Sequence, residues 1–526
     1  MRHWNLLLIA LLFGLSGCVS TTKPQDPQVL SATHGFVFVH FPRIHPTLSL
    51  KSLSTNKIYK LRDNRNLNTS SFWLPFGEYE LKKLSYHSDP ISSKEIKLAG
   101  YPKIIIKNGA ITNLGSLINF NLGQGKEIWL PISSTESQRL VNLEIKQSNF
   151  LKNNEILQWE PINLPDISKG RHSNSDLGLI ADLGLAYTHY LQEGELKEKL
   201  LSIDNIESFY NVMIKLLPPI TEQEPSYDTE GNLYLGADLG QIKKRSPKGL
   251  WTSIDTGTLA TISKVYWYQD SLFAVSGKNK VLVRKAENLP WQEYTQVDSS
   301  QTIYDLDGIK DDLIVLSAIN ETSNNSFILG ENYTLSVYRV SLKNPINIKL
   351  INTIKQEGDV LINPKGIINN EVYYLGLMPD IFKSVNLETM KWHGVKIPQK
   401  FSSFHVAKSN LITLLNAQGA FSDLFISDNN GDSWQELNAP SYIIQDVFFS
   451  DNSNGFASRL NVGAFSAEHV LQQYNTNQDT WHDVTQAPET CKYIFARSIE
   501  MPILCLTKSD TMMSFKDNKW HNEVTK

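Results

Sequence analysis

The chain has 526 residues, more than one ordinary domain holds and enough for two or three. Its hydrophobic fraction of 41% is typical of a globular protein, and 50 basic against 54 acidic residues leave a net charge of −4. No strongly basic face can be assembled from that balance, which argues against nucleic acid as a partner. Three cysteines, none in a Cys-x-x-Cys pair, give neither a redox motif nor a zinc site.

Met1 to Asn5 forms a short, positively charged start, and Leu6 to Leu15 an apolar stretch too short to span a bilayer. Leu15-Ser16-Gly17-Cys18 follows. The pattern predicts a secretory signal peptide over residues 1–17. Its end resembles the bacterial lipobox, Leu-Ser/Ala-Gly/Ala-Cys. The resemblance implies cleavage before Cys18, a diacylglycerol on its thiol and an acyl chain of the palmitate kind on the new amino group. Several chains make such an anchor firm where one is marginal. The alternative is an ordinary cleaved signal with an incidental cysteine. Val19 stands where inner-membrane retention is associated with Asp, so the resemblance implies a lipoprotein of the outer membrane, on either face. Residues 18–33, polar and carrying Pro24 and Pro27, are expected to be a tether.

Residues 34–146 are expected to form a β-sandwich. Strands are predicted over Thr47–Leu53, Lys57–Leu61, Phe72–Leu74, Tyr79–Leu84, Lys103–Lys107 and Ile111–Phe120, with Leu48, Leu50 and Leu53 facing inward by alternation. The turns Pro75-x-Gly77-x-Tyr79 and Gly109 to Gly115 resemble those of a small β-sandwich recurrent in bacterial lipoproteins. Such modules pack or bind rather than catalyse. Residues 147–220 are expected to be a partly helical connector. Leu179, Ile180, Leu183, Ala186, Tyr187, Tyr190 and Leu191 follow helical spacing. A second helix is predicted from Asp204, with Glu207 completing a capping box and Ile206, Phe209, Tyr210, Met213 and Leu216 on its apolar face. Alternatively, Phe209 to Leu217 is the first strand of the next domain.

From residue 221 onward a repeat appears. Trp251, Trp291, Trp392, Trp434, Trp481 and Trp520 each open a similar short run, with gaps of 40, 101, 42, 47 and 39 residues. The long gap holds a further copy ending near Ile348 to Ile351. A period of roughly 40–45 residues is that of a four-stranded propeller blade, so residues 221–526 are expected to form a β-propeller of seven blades. The alternative is a large β-sandwich.

The sharpest copy is Ser427-Asp428-Asn429-Asn430-Gly431-Asp432-Ser433-Trp434, between two short apolar strands. It resembles the Asp-box of BNR-repeat propellers, Ser/Thr-x-Asp-x-Gly-x-Thr/Ser-Trp. Ser427, Gly431, Ser433 and Trp434 match, and Asn429 stands where the family has Asp. Ile443 to Ala457 also resembles the inner half of such repeats in propellers related to photosystem assembly factors. The resemblance implies a peripheral turn between third and fourth strands, in which Ser427, Asn429, Gly431, Ser433 and Trp434 are structural.

Sialidases share that fold and need three arginines converging on a substrate carboxylate, a tyrosine nucleophile and an acid/base carboxylate. Phe41-Pro42-Arg43-Ile44-His45 departs from their Arg-Ile-Pro motif, and Arg43 is expected in a loop. Of Arg245, Arg284, Arg339, Arg459 and Arg497, the first three are predicted on third strands, away from the axis, with Arg459 on a second strand and Arg497 ending an inner one. Asp305, Asp307, Asp311 and Asp312 are expected to be turn residues. Asp451 to Asn454 lacks the spacing of a calcium loop. No Gly-x-Ser-x-Gly, His-Glu-x-x-His or phosphate loop occurs in the mature chain. Catalytic residues, cofactor and metal are therefore all expected to be none, and the chain is not expected to be an enzyme. Cys491 and Cys505 lie at equal distances from the turn near Ser498-Ile499, so either a disulfide joins them across a hairpin or both are buried thiols. The expected role is a lipid-anchored, non-catalytic scaffold for an envelope protein partner. The alternative is a glycan-binding protein or divergent glycoside hydrolase, with Tyr266, Trp267 and Tyr268 as candidate stacking rings.

Overall fold

The computed structural model describes residues 33–525, apart from 173–197, 217–224, 321–332 and shorter stretches, chiefly 43–45, 65–67, 88–92, 357–363, 387–390, 441–443, 463–466, 487–490, 496–502 and 508–510. The expected signal peptide, Cys18, the expected tether, Arg43, the helix expected around Leu179–Leu191 and Arg497 lie outside the described residues.

The N-terminal part is built on two sheets, one of seven strands and one of six. The expected strands form, and Leu48 and Leu50 are fully buried. Val37, Val39, Leu74, Leu117 and Trp129 of the larger sheet share one cluster with Leu48, Leu50, Leu81, Leu84 and Ile96 of the smaller. Tyr79 closes the turn before it by donating its hydroxyl to the Pro75 carbonyl at 2.7 Å. Beyond the expectation, residues 155–158 and 168–172 also add strands to these sheets.

The β-rich reading up to residue 146 missed a helix, α1 (Thr135–Gln147). Ser134 caps it, its hydroxyl accepting from the Ser137 amide at 3.0 Å. Leu140 and Val141 pack on Phe36, Phe38 and Ile111, on the outer face of the larger sheet. The second helix, α2 (Ile206–Leu216), forms as expected but is capped one residue later. The Asn205 side chain accepts from the Ser208 amide at 3.0 Å. Its helical state disposes of the strand alternative for 209–217, and the first strand of the next sheet is the two-residue Ser226–Tyr227.

The C-terminal part is a series of seven antiparallel sheets in chain order, here sheets 1 to 7. Their first strands are Ser226–Tyr227, Ile262–Tyr268, Thr302–Ile309, Lys365–Asn369, Ser403–Val406, Ile444–Asp451 and Cys491–Phe495. Each sheet runs first to fourth strand by simple up-and-down pairing. Trp251, Trp291, Trp392, Trp434, Trp481 and Trp520 all stand at or just before the start of a fourth strand. The copy without tryptophan is sheet 3, whose fourth strand is Ile348–Gln356.

Consecutive sheets share hydrophobic clusters: Ile242 with Val265 between sheets 1 and 2, Val281 with Leu313 between 2 and 3, and Ile314 with Leu375 between 3 and 4. The series continues through Ile381 with Ile412, Leu424 with Val447, and Leu471 with Ile503. The last sheet shares a cluster with the first, through Leu504, Leu506 and Met512 against Leu233, Leu235 and Trp251. Val524–Thr525 then pairs in parallel with Leu250–Trp251 on the outer edge of sheet 1.

The α2 helix fills the space between the two parts. Phe209 and Met213 join Phe120, Ile128 and Leu130 of the larger N-terminal sheet and Leu239 and Leu259 of sheet 1 and the loop after it. Lys243 of sheet 1 donates to the carbonyls of Ile214 and Lys215 at 3.0 and 2.9 Å and to Ser253 at 2.7 Å, so a buried ammonium caps the C-terminal end of α2. Burial pulls its pKa down to about 8. At the other contact, Glu136 in the first turn of α1 accepts from the Leu259 amide and the Thr258 hydroxyl at 3.0 and 2.9 Å. Burial works against this carboxylate, yet His40, these two donors and Arg139 hold its pKa below the ordinary range.

Candidate functional site

The residues of the Asp-box turn are joined by their own hydrogen bonds. Ser427 donates its hydroxyl to Asn429 Oδ1 and accepts the Gly431 amide, both at 2.9 Å. Asn429 Oδ1 also accepts the Ser433 amide at 2.9 Å, while its Nδ2 donates to Ser433 Oγ at 2.7 Å. Asn429 thus supplies what an aspartate would and one donor more. Gly431 has φ +82°, and a Cβ there would stand 2.6 Å from Val395 of sheet 4. The turn is docked on that sheet. Tyr374 donates to Asn430 at 2.8 Å, and Lys383 reaches Asp432 at 2.6 Å.

Three of the six repeated indoles donate across a seam, while the buried indole N–H groups of Trp291, Trp392 and Trp520 have no hydrogen-bond partner among the described residues. Trp434 donates its N–H to the Lys396 carbonyl, just past the fourth strand of sheet 4, at 2.9 Å. Trp481 does the same to the Asn438 carbonyl, just past the fourth strand of sheet 5, at 2.7 Å. Trp251 of sheet 1 donates at 2.6 Å to the carboxylate of Glu523, just past the fourth strand of sheet 7. Arg245 completes that arrangement by gripping Glu523 with two N–H groups, the Nε contact being 2.6 Å. Both side chains are almost fully buried, at 6% and 4% exposure.

The other described arginines are committed as locally. Arg284 lies 5.3 Å over the Trp291 ring, Arg339 pairs with Asp312 at 3.6 Å, and Arg459 with Asp483 at 2.9 Å. All four stand on the strands expected of them, in sheets 1, 2, 3 and 6. The candidate stacking rings also serve the seams. Tyr266 accepts the Gly308 amide at 2.9 Å, Tyr268 donates to the Lys310 carbonyl at 2.9 Å, and Trp267 stacks on Tyr234 of sheet 1 at 6.0 Å.

Asp305 and Asp307 are not turn residues, contrary to expectation. They lie on the first strand of sheet 3 and are 3% and 9% exposed. Their neighbours Ile303, Leu306 and Ile309 bury the strand, and Lys264, across the seam, neutralises Asp305 at 2.5 Å. The other Asp305 oxygen accepts the Gly366 amide of sheet 4 at 2.9 Å. One carboxylate therefore ties the first strands of three successive sheets. Lys264 and Asp305 each follow a β-bulge, a device that re-aims side chains. Asp311 pairs with Lys343 at 2.9 Å in a turn, as expected. The Asp451 carboxylate is taken up by the Ser453 and Asn454 amides at 2.8 and 3.0 Å. Among the described residues no group of three or more His, Cys, Asp or Glu could hold a metal ion.

A cleft of about 450 Å³ opens between sheets 1 and 2, lined by Asn232, Lys244, Ser246, Thr252, Arg284 and Glu287 among others. Lys244 and Glu287 form an ion pair across it, and Lys244 also lies 5.7 Å over the Tyr234 ring. The Asp228 carboxylate behind it opposes burial by accepting from Asn232 and Tyr234, which holds its pKa low.

Cys505 is buried and disulfide-bonded. Its direct cross-strand neighbour is Ile494, because a bulge after Cys491 sets Cys491 opposite Thr507. The side chain of Cys491 lies outside the described residues. Glu523, Lys264, Lys243 and Glu136 were not singled out by sequence. Each works through a partner distant in the chain, so no local motif marks it.

No family model matches the chain, and no curated protein matches it. Solved structures do resemble it. An oligogalacturonate lyase from Vibrio parahaemolyticus is 8% identical, covers 57% of this chain and 91% of its own, and superposes with a TM-score of 0.43. YCF48 from Cyanidioschyzon merolae is 10% identical over 58% and 94%, TM-score 0.39. YCF48 bound to D1 peptide is 12% identical over 56% and 92%, TM-score 0.42. Likeness at this level assigns no activity.

Proposed function

We propose that this chain is a lipid-anchored envelope protein of the outer membrane. In this reading the seven sheets are blades of a closed β-propeller with BNR-like repeats, carried on a β-sandwich and tethered through acylated Cys18. The Cys505 disulfide is read as joined to Cys491. The propeller serves as a non-catalytic platform for a protein partner. One observation carries this most: the groups that sequence offered for chemistry are spent on contacts within and between the sheets. Arg245, Arg284, Arg339 and Arg459 lie in four different sheets, each with a local partner. The rings of Tyr266, Trp267 and Tyr268 fill seams. Rigid scaffolds of this kind bind through their variable loops.

The cleft between sheets 1 and 2 favours a second reading, binding of a glycan. Hydroxyl, amide and charged groups line it beside Leu250 and Ile254. The test is to extract the intact protein in mild detergent, cross-link gently and identify what accompanies it by mass spectrometry. A reproducible partner that is lost when the loops between strands are changed, and kept on Arg284→Glu, supports the platform. A solitary protein that binds immobilised glycans until Arg284 is changed supports the second reading and sinks the first. Failure of Cys18→Ser to abolish acyl labelling would remove the anchor.

A further inference from the structure

One end of the N-terminal part gathers features that neither the fold nor the platform uses. The chain enters its first strand there, His34 pairing with Pro75 and accepting the Gly109 amide. Gly35 packs so closely on the Lys107 carbonyl that no side chain fits. The turn at 75–78 and the strand Ile104–Ile106 are adjacent, Gly77 standing opposite Ile106. The turn at 53–57 joins them, the Leu53 amide donating to the Glu78 carbonyl at 2.9 Å.

This end exposes Phe76, Ile105 and Ile58, at 68%, 55% and 48%. A single exposed apolar side chain needs no explanation. Three at one end, with Phe76 held outward by a turn locked through Tyr79, do. Exposed Lys57, Lys103 and Lys107 surround them; Lys103 pairs with Glu78 at 2.8 Å, and Lys57 lies 5.1 Å over the Tyr59 ring.

We propose that this tip seats on an anionic phospholipid surface. Phe76 and Ile105 enter the headgroup boundary, and Lys57 and Lys107 lie over the phosphates. The inference rests on the reading of Cys18 as the lipid-bearing residue. The chain from Val19 to Thr33 has 15 residues. A chain of that length spans roughly 20 Å, and the described structure begins with Thr33 at this tip. The anchor therefore holds the tip near the bilayer at high local concentration.

The test uses residues 19–526, which keep every described element and carry no lipid, co-sedimented with vesicles of phosphatidylglycerol and phosphatidylethanolamine. The wild type is expected to sediment, less so when phosphatidylglycerol is omitted or salt is raised. Phe76→Ser with Ile105→Ser is expected to weaken binding roughly tenfold or more. Lys57→Glu with Lys107→Glu is expected to abolish the dependence on phosphatidylglycerol at an unchanged melting temperature. A wild type that stays in the supernatant, or a Phe76/Ile105 variant that sediments like it, overturns the proposal. Acyl labelling of the full chain at Cys18 reads the anchor independently. Labelling without vesicle binding refutes the tip alone, and vesicle binding without labelling refutes the anchor alone.

Discussion

Three seams of the sheet series perform one task with two kinds of chemistry. Between sheets 4 and 5, and again between 5 and 6, an indole donates to a backbone carbonyl just past the preceding fourth strand. Between sheets 7 and 1 the same indole position donates to a side chain, the Glu523 carboxylate, held in turn by Arg245. The first two seams are crossed by the chain on its way into the first strand of the next sheet. Between sheets 7 and 1 the chain crosses at Glu523, where Asn522 leads into the two-residue strand Val524–Thr525 on the edge of sheet 1. That short strand is joined there by a charge-assisted pair. The pair is more deeply buried than Lys383 with Asp432 between sheets 4 and 5.

That contrast can be broken by substitution. Glu523→Ala strands a buried guanidinium and an indole N–H together, and is expected to cost about 3–5 kcal/mol, read as a fall in the denaturation midpoint. Replacing both Arg245 and Glu523 by apolar residues of similar volume should recover much of that loss, because the penalty lies in the unpaired charge. Gly431→Ala forces a side chain into φ +82° and against Val395, for about 1–3 kcal/mol. Trp481→Phe keeps most of the ring and leaves the Asn438 carbonyl unpaired, for about 1–2 kcal/mol by chemical denaturation. Its effect should be well below that of Glu523→Ala. If the two are equal, the buried ion pair adds nothing beyond what an indole hydrogen bond supplies.

A further effect concerns pH. Lys243 titrates near 8 in the folded protein and near 10.5 in the unfolded chain. Between those values the unfolded state holds more of the proton, so this residue makes stability rise with pH across that window by at most one proton's worth. Below pH 8 its penalty is constant. Lys243→Met should remove this rise, measured as a flatter dependence of the denaturation midpoint between pH 8 and 10.5.

What the sequence made legible follows from range. The tryptophan spacing located the sheets, and even the copy without tryptophan, because the indole and the turn before it are local features recurring at one period. The turn from Ser427 to Trp434 was legible for the same reason: the bonds within Ser427 to Ser433 span at most four residues. Asp305 and Asp307 were misread as a turn because acidic residues beside glycine usually mark one, and the lysine that makes burial tolerable is 41 residues away. The α1 helix was missed although Ser134 before Thr135-Glu136 is a capping signal, since the preceding strands set an expectation of more strand. Glu523 carried no local signal, and its role depends on the first sheet, more than 270 residues upstream.

The most direct test of this account is amide hydrogen exchange of Glu523→Ala against wild type. Loss of protection is expected first in the strands flanking the seam between sheets 7 and 1, Leu233–Gly236 and Ile503–Thr507, with Leu313 to Leu316 of sheet 3 unchanged under the same conditions. Uniform loss across the sheets, or no loss at the seam, would contradict a seam between sheets 7 and 1 held by Arg245 and Glu523.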